Sequence, residues 1–180
     1  MEFWDFNETD NYVDVSYKNN NYRVLNKRNK KLAAQRLYEI ETFINLMAEL
    51  VRNNMYLTQG ILTDMCQVFL SIHPHYYRVQ EMQIGTMFDG MNKPKEVKLN
   101  KYLPKVGADG KLKAAYRVIF FQLRQPDDKI KKFNELFRLV MHEIAHTGCN
   151  HVRWRDDDHG DDFKLFETYL YYLWSKYRSL

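Results

Sequence analysis

A single α+β domain is what this sequence predicts, on three observations. Apolar residues recur at helical spacing over long stretches, a run dense in β-branched and aromatic residues lies in the second half, and the last third is ordered strand, helix, helix. The 180 residues, 45% hydrophobic and 15% aromatic, can fill one core, which argues against disorder. One domain over residues 1–180 is therefore expected, with the acidic and aromatic opening, 1–10, flexible.

The elements follow in order. Tyr12–Tyr17 alternates weakly, Asn19–Asn21 supplies a turn, and Tyr22–Leu25 makes a second strand, so a hairpin is expected. From Asn29 to about Asn53, Ala33, Leu37, Ile40, Ile44, Met47 and Val51 lay one apolar stripe along a long helix. A second helix covers Gly60 to Ser71, with Ile61, Met65 and Phe69 inward. It stops before Pro74, because a residue preceding proline avoids the helical region. His75 to Gly110 is expected to be loop-rich, with only Glu96–Asn100 alternating like a strand. Tyr116–Arg124 is the strongest strand. Pro126, Asp127 and Asp128 then give a turn and an acidic start to a helix running to about Thr147. Phe133, Phe137, Val140 and Ile144 form its stripe, and Gly148 is expected to end it in the left-handed conformation. Asp161 to Tyr177 is the last helix, with Phe163, Phe166, Leu170 and Leu173 on one face.

Charge and cysteine content exclude more than they identify. A net charge of +4 permits a polyanionic partner without specifying one. Cys66 and Cys149 cannot build a disulfide framework, and no uncharged apolar run is long enough to cross a bilayer. The acidic opening lacks the positive flank and apolar core of a secretory signal, so the expected location is intracellular, cytoplasmic or nuclear.

Chemistry concentrates in His142-Glu143-Ile144-Ala145-His146. Residues four apart lie one turn above each other, so both imidazoles project from one helix face and can share a zinc ion. Glu143 is turned about 100° away. It can stand beside the metal without ligating it, where a carboxylate takes a proton from metal-activated water and passes it to a leaving amine. Such a pattern arises by chance in roughly 1% of chains this long, so its context has to carry the argument. A catalytic zinc needs a third ligand and an open position, and His151 and His159 are the candidates. His151 falls one residue short of the HExxHxxGxxH spacing, where Val152 stands. His159 opens His159-Gly160-Asp161-Asp162-Phe163 at the mouth of the last helix.

HEIAH, a polar spacer, then HGDDF resembles the HExxH…HGxxF pattern of SprT-like metallopeptidases and the HExxH…HxxxF of the related WLM domain. Both are minimal zincin, or minigluzincin-like, proteases of the Spartan type, which cleave proteins crosslinked to DNA. The resemblance covers about Tyr116 to Leu173. The twelve-residue spacer between His146 and His159 suits SprT better than WLM, and the CxxC pair of a following zinc ribbon is missing. What the resemblance implies is a small twisted sheet packed on the HExxH helix, Zn2+ held by His142, His146 and His159, and Glu143 as general base. It also implies a protein or peptide substrate, with DNA-bound proteins as targets.

Other features receive plainer readings. His151 reads as a solvated loop residue. Cys149 could approach the metal as a soft ligand, although a small helix-end packer is the commoner role. Asp156, Asp157, Asp158, Asp161 and Asp162 lack the order of a calcium loop, and the last two stabilise a helix start. Lys18, Arg23, Lys27, Arg28, Lys30 and Lys31, interleaved with Tyr17 and Tyr22, have the cations and aromatic rings that a single-stranded DNA groove requires, over Tyr17 to Lys31. Strand Tyr116–Arg124 is expected to bind extended substrate, and Tyr76–Arg78 or Arg153–Arg155 to supply an oxyanion donor. The rival class is non-enzymatic: a zinc-stabilised interaction or virion component, or a nucleic-acid-binding module.

Overall fold

The computed structural model describes residues 11–83, 88–94, 117–149 and 159–180. Its elements are β1 (Tyr12–Tyr17), β2 (Asn20–Leu25), α1 (Lys30–Asn54), α2 (Ile61–Ile72), β3 (Tyr77–Glu81), β4 (Gly90–Pro94), β5 (Arg117–Phe121), α3 (Phe133–Gly148) and α4 (Asp161–Arg178). The fold is α+β, with a mixed sheet in the order β1-β2-β3-β5-β4 and helices packed on one face. The β1–β2 and β4–β5 pairs are antiparallel, and β2–β3 and β3–β5 are parallel.

The expected hairpin forms one residue earlier than its asparagines suggest. Lys18 and Asn19, at φ 51° and 65°, are the left-handed pair that turns Tyr17 back onto Asn20. The long helix buries the whole predicted stripe and adds Ala34, Phe43 and Ala48. It carries the chain from β2 to α2, and together the two helices make the crossover that lets β3 lie parallel to β2. The second helix ends at Ile72, ahead of His73 and Pro74, as proline requires.

The stretch expected to be loop-rich contains two strands. β3, Tyr77–Glu81, is central and buried along most of its length, yet it carries the polar pair Gln80 and Glu81. Glu81 is tolerated because Arg124 donates to it from Nε at 2.6 Å and the Leu25 amide donates at 2.8 Å. That ion pair ties the ends of β2, β3 and β5 together. β4 contains Gly90, Asn92 and Pro94 and has no strand propensity of its own, so pairing with β5 holds it extended. Glu96–Asn100 and Tyr116 lie outside the described residues, as do 1–10.

Two boundaries around α3 differ from expectation. The helix starts at Phe133 rather than near Asp128, because Asp128 is left-handed at φ 66° and Ile130 bridges back to Arg124. Asp127 serves the turn by accepting from the Lys129 amide at 3.1 Å, and Glu135 caps the helix by accepting from the Lys132 amide at 2.9 Å. At the other end Gly148 is helical and not left-handed. A Cβ there would sit 2.4 Å from a ring carbon of Phe166, so the glycine allows α3 and α4 to approach. On α4 the buried residues Phe163, Phe166, Leu170 and Leu173 are those predicted. No described helix is long and apolar enough to cross a membrane.

Candidate metal centre

His142 and His146 stand one turn apart near the end of α3, and His159 enters from the residues leading into α4. Nε2 of His142 lies 3.3 Å from Nε2 of His146 and 3.1 Å from Nε2 of His159. Two nitrogens on a tetrahedral zinc, each at about 2.0–2.1 Å, are separated by about 3.3–3.4 Å, so these spacings suit one ion. The donor atoms of all three histidines lie within 4.8 Å of one another and could hold a metal. Phe163, 4% exposed, floors the cluster, with its ring centroid 4.6–5.1 Å from those of the three imidazoles. His142 and His146 are half-buried and His159 is exposed, so the cluster opens to solvent on the His159 side.

The imidazoles of α3 are held neutral, which leaves lone pairs for a metal. Burial pushes His146 down to about 3, helped by its two histidine neighbours and Arg117. Burial and His159 lower His142 as well, against the pull of Glu167. Glu143 stays out of the cluster. It is 4% exposed, and its carboxylate lies against β4, where a Cβ on Gly90 would come within 3.1 Å of Oε1. Burial raises this carboxyl to about 8, opposed by Arg117.

Comparison with protein-family models, with curated proteins and with solved structures finds no match to this chain.

A polar chain behind the helix fixes that geometry. Asn92 on β4 donates from Nδ2 to the Glu143 carbonyl at 2.6 Å and to Thr147 Oγ1 at 2.8 Å. Arg117 on β5 donates to Asn92 Oδ1 at 2.7 Å and to its carbonyl at 3.1 Å. Thr147 Oγ1 in turn lies 3.2 Å from Nε2 of fully buried His73. These contacts lock α3 onto the β4–β5 pair at the turn that carries Glu143. Sequence reasoning missed all four residues. The one available signal was polar residue types, Asn92 and Arg117, beside or within apolar runs.

The other predicted residues fall as follows. His151 and Arg153–Arg155 lie outside the described residues, as do Asp156–Asp158. Cys149 packs at the helix end: its thiol, pushed up to about 12 by burial, donates to Met65 Sδ at 3.8 Å between α2 and α3. Tyr77 sends its hydroxyl to Asn45 Oδ1 at 2.7 Å on α1, and β5 separates β3 from β4, so Tyr76–Arg78 is not brought to Glu143. β5 cannot take an added strand, because β3 and β4 occupy both its edges. Tyr22, 3% exposed and donating to Glu41 at 2.9 Å, is unavailable for stacking on a base, and Tyr17 packs on Tyr38.

The basic segment gains unexpected neighbours. Lys27 pairs with Asp128 at 3.6 Å, and the Asn29 amide donates to the Asp128 carbonyl at 3.4 Å. The two turns therefore lie side by side, and exposed Lys129 and Lys132 join exposed Lys27, Arg28, Lys30 and Lys31 on one surface.

Proposed function

We propose that this protein is a zinc-dependent metallopeptidase of the SprT/WLM-like, minimal zincin kind. The observation that carries the reading is the convergence of three imidazole Nε2 atoms, two from an HExxH helix and one from the residues leading into the next helix, with the glutamate that follows the first histidine buried against β4. His142, His146 and His159 would hold the ion. Zinc so bound supplies Lewis acidity and a water acidified toward neutral pH.

The chain's own groups account for the rest. Glu143 accepts a proton and returns it to the leaving amine, and its burial raises its basicity. Asn92 and Arg117 hold the backbone carrying that glutamate. β4, the outermost described strand on this side, lies against Glu143 at Gly90 and is the candidate for aligning an extended peptide. DNA-bound proteins as targets are favoured by exposed Arg28, Lys30, Lys31, Lys129 and Lys132, which two segments distant in sequence bring near one another, Lys27 being paired with Asp128.

Glu143→Gln tests the reading. The variant should lose casein digestion or autocleavage while its zinc stoichiometry matches wild type. Full activity in metal-loaded Glu143→Gln protein would overturn the mechanism. Metal loss in the same variant would make Glu143 a ligand instead of a base.

A further inference from the structure

Glu167 makes a contact that the chemistry above does not use. It lies on α4 one turn beyond Phe163, and residues four apart stack on one helix side. Its Oε2 is 3.5 Å from Nδ1 of His142, the ring nitrogen opposite the one that faces His146 and His159. We propose that Glu167 is a positioning residue for the metal centre: its carboxylate accepts the Nδ1 proton of His142, holds the ring in that tautomer and leaves Nε2 as the lone-pair donor. The inference rests on the metal reading and adds to it a residue that never touches the ion.

A neutral imidazole has one N–H to share between two nitrogens, and the hydrogen bond made at one of them decides which carries it. A carboxylate at Nδ1 draws the proton there, because a bond to an ionised acceptor is roughly twice as strong as a neutral one. It also strengthens the donor at the far nitrogen and offsets part of a dication's charge. The contact is not a simple surface ion pair. Side-chain exposure is 29% for Glu167 and 37% for His142, and the ring is edge-on to Phe163 at 5.0 Å, which limits its rotation. The same docking of α4 delivers His159, Phe163 and Glu167, so ligand, floor and orienting acceptor arrive as one rigid unit. Placement on α4 also explains how α3, whose Glu143 faces β4, gets its outward-facing ligand oriented.

Two measurements on the full chain decide it. Long-range 1H–15N NMR spectra of the imidazoles report the His142 tautomer in metal-free protein, and competition with a chromophoric chelator reports zinc affinity. Both are applied to wild type, Glu167→Gln and Glu167→Leu. Expected are an Nδ1–H tautomer in wild type, its loss in Glu167→Leu, and a roughly 10–100-fold fall in zinc affinity for that variant. Glu167→Gln, whose amide oxygen still accepts, should fall in between. An unchanged His142 tautomer, or zinc affinities of wild type and Glu167→Leu within about twofold, would overturn the role of Glu167. A wild type that takes up no zinc is a different result, and it overturns the metal reading itself.

Discussion

Gly148→Ala asks whether the approach of α3 to α4 is as close as the site requires. In an ordinary helix the change stabilises, by about 0.8–1.0 kcal/mol, because alanine loses less backbone entropy. Here the new Cβ would lie 2.4, 2.6 and 2.8 Å from three ring carbons of Phe166. Restoring ordinary contact at about 3.5 Å requires the ring to retreat by about 1 Å. Phe166 is fully buried, with Phe69 packed at 5.5 Å between ring centroids, so the ring cannot swing aside and α4 must move with it. Overpacking of this kind costs about 1–3 kcal/mol, and the site is at the upper end because a rigid ring is struck by backbone-anchored carbon. The expected net loss is about 2 kcal/mol, or a Tm lower by about 4–8 °C at this chain length. Urea denaturation of metal-free protein measures the first number, and a thermal scan the second. Because His159 leads directly into α4, zinc affinity should fall in parallel, by roughly tenfold. Phe166→Leu makes room, so the double variant should recover at least about 1 kcal/mol relative to the sum of the single effects. A Gly148→Ala protein more stable than wild type by about 0.8–1.0 kcal/mol would mean that helix propensity acts unopposed. The α3–α4 approach, and the position of His159 derived from it, would then be wrong.

Three further outcomes are expected. His159→Ala should weaken zinc binding by several kcal/mol in a zinc titration while His151→Ala changes it little; the reverse pattern would reassign the third ligand. Burial lowers His73 to about 3 in the fold, so the unfolded chain takes up a proton below about 6.5 that the native chain refuses; this stability is complete above that pH and falls by about 1.4 kcal/mol per unit as pH drops toward 3. In metal-free protein, moving from pH 6.5 to 5 should therefore cost about 2 kcal/mol from His73, and His73→Phe should have a shallower acid slope; an equal slope would exclude the buried neutral histidine. Fluorescence anisotropy with a labelled single-stranded oligonucleotide should show affinity falling steeply with salt, and charge reversal at Lys129 and Lys132 should flatten that slope as reversal at Lys30 and Lys31 does; binding indifferent to both would remove the DNA reading.

What could be read from the sequence was set by how local each cause is. His142 and His146 depend only on helical geometry over one turn, and the stripe Phe163, Phe166, Leu170 and Leu173 only on period, so both were legible. The hairpin was legible through its turn residues, and only its register slipped, because left-handed Lys18 gives no compositional signal. β3 and β4 were not legible. Glu81 reads as a surface residue until Arg124, 43 positions later, is known to reach it, and Gly90–Pro94 owes its extension to a partner strand. The α3 start was misplaced because Pro126–Asp128 fits a helix start and a turn equally well, and the bridge from Ile130 to Arg124 decides for the turn. The set Asn92, Arg117, Thr147 and His73 comes from β4, β5, α3 and the residue after α2, and no spacing rule joins them.

That division also bears on how His159, the proposed third ligand, is held. A metal could in principle recruit His159 from a loose segment, with the ordering cost deducted from its affinity. The packing of α4 argues otherwise. Phe163, Phe166, Leu170 and Leu173 are each at most 4% exposed, and burying a side chain of this size contributes about 1.5–3 kcal/mol. The helix is therefore docked by the core and not by the ion, whatever residues 150–158 do. Its first residues come to rest beside α3 because Gly148 lets Phe166 in, and Phe163 then lies under all three imidazoles. His159 is pre-placed as a consequence of hydrophobic burial, and α3 is fixed independently by Asn92 and Arg117 from the sheet side. Two rigid walls, assembled by different forces, meet at the histidines. A metal bound there needs to order little, so removing it should leave the fold intact, unlike a small zinc-stabilised domain, which unfolds when its ion is taken away.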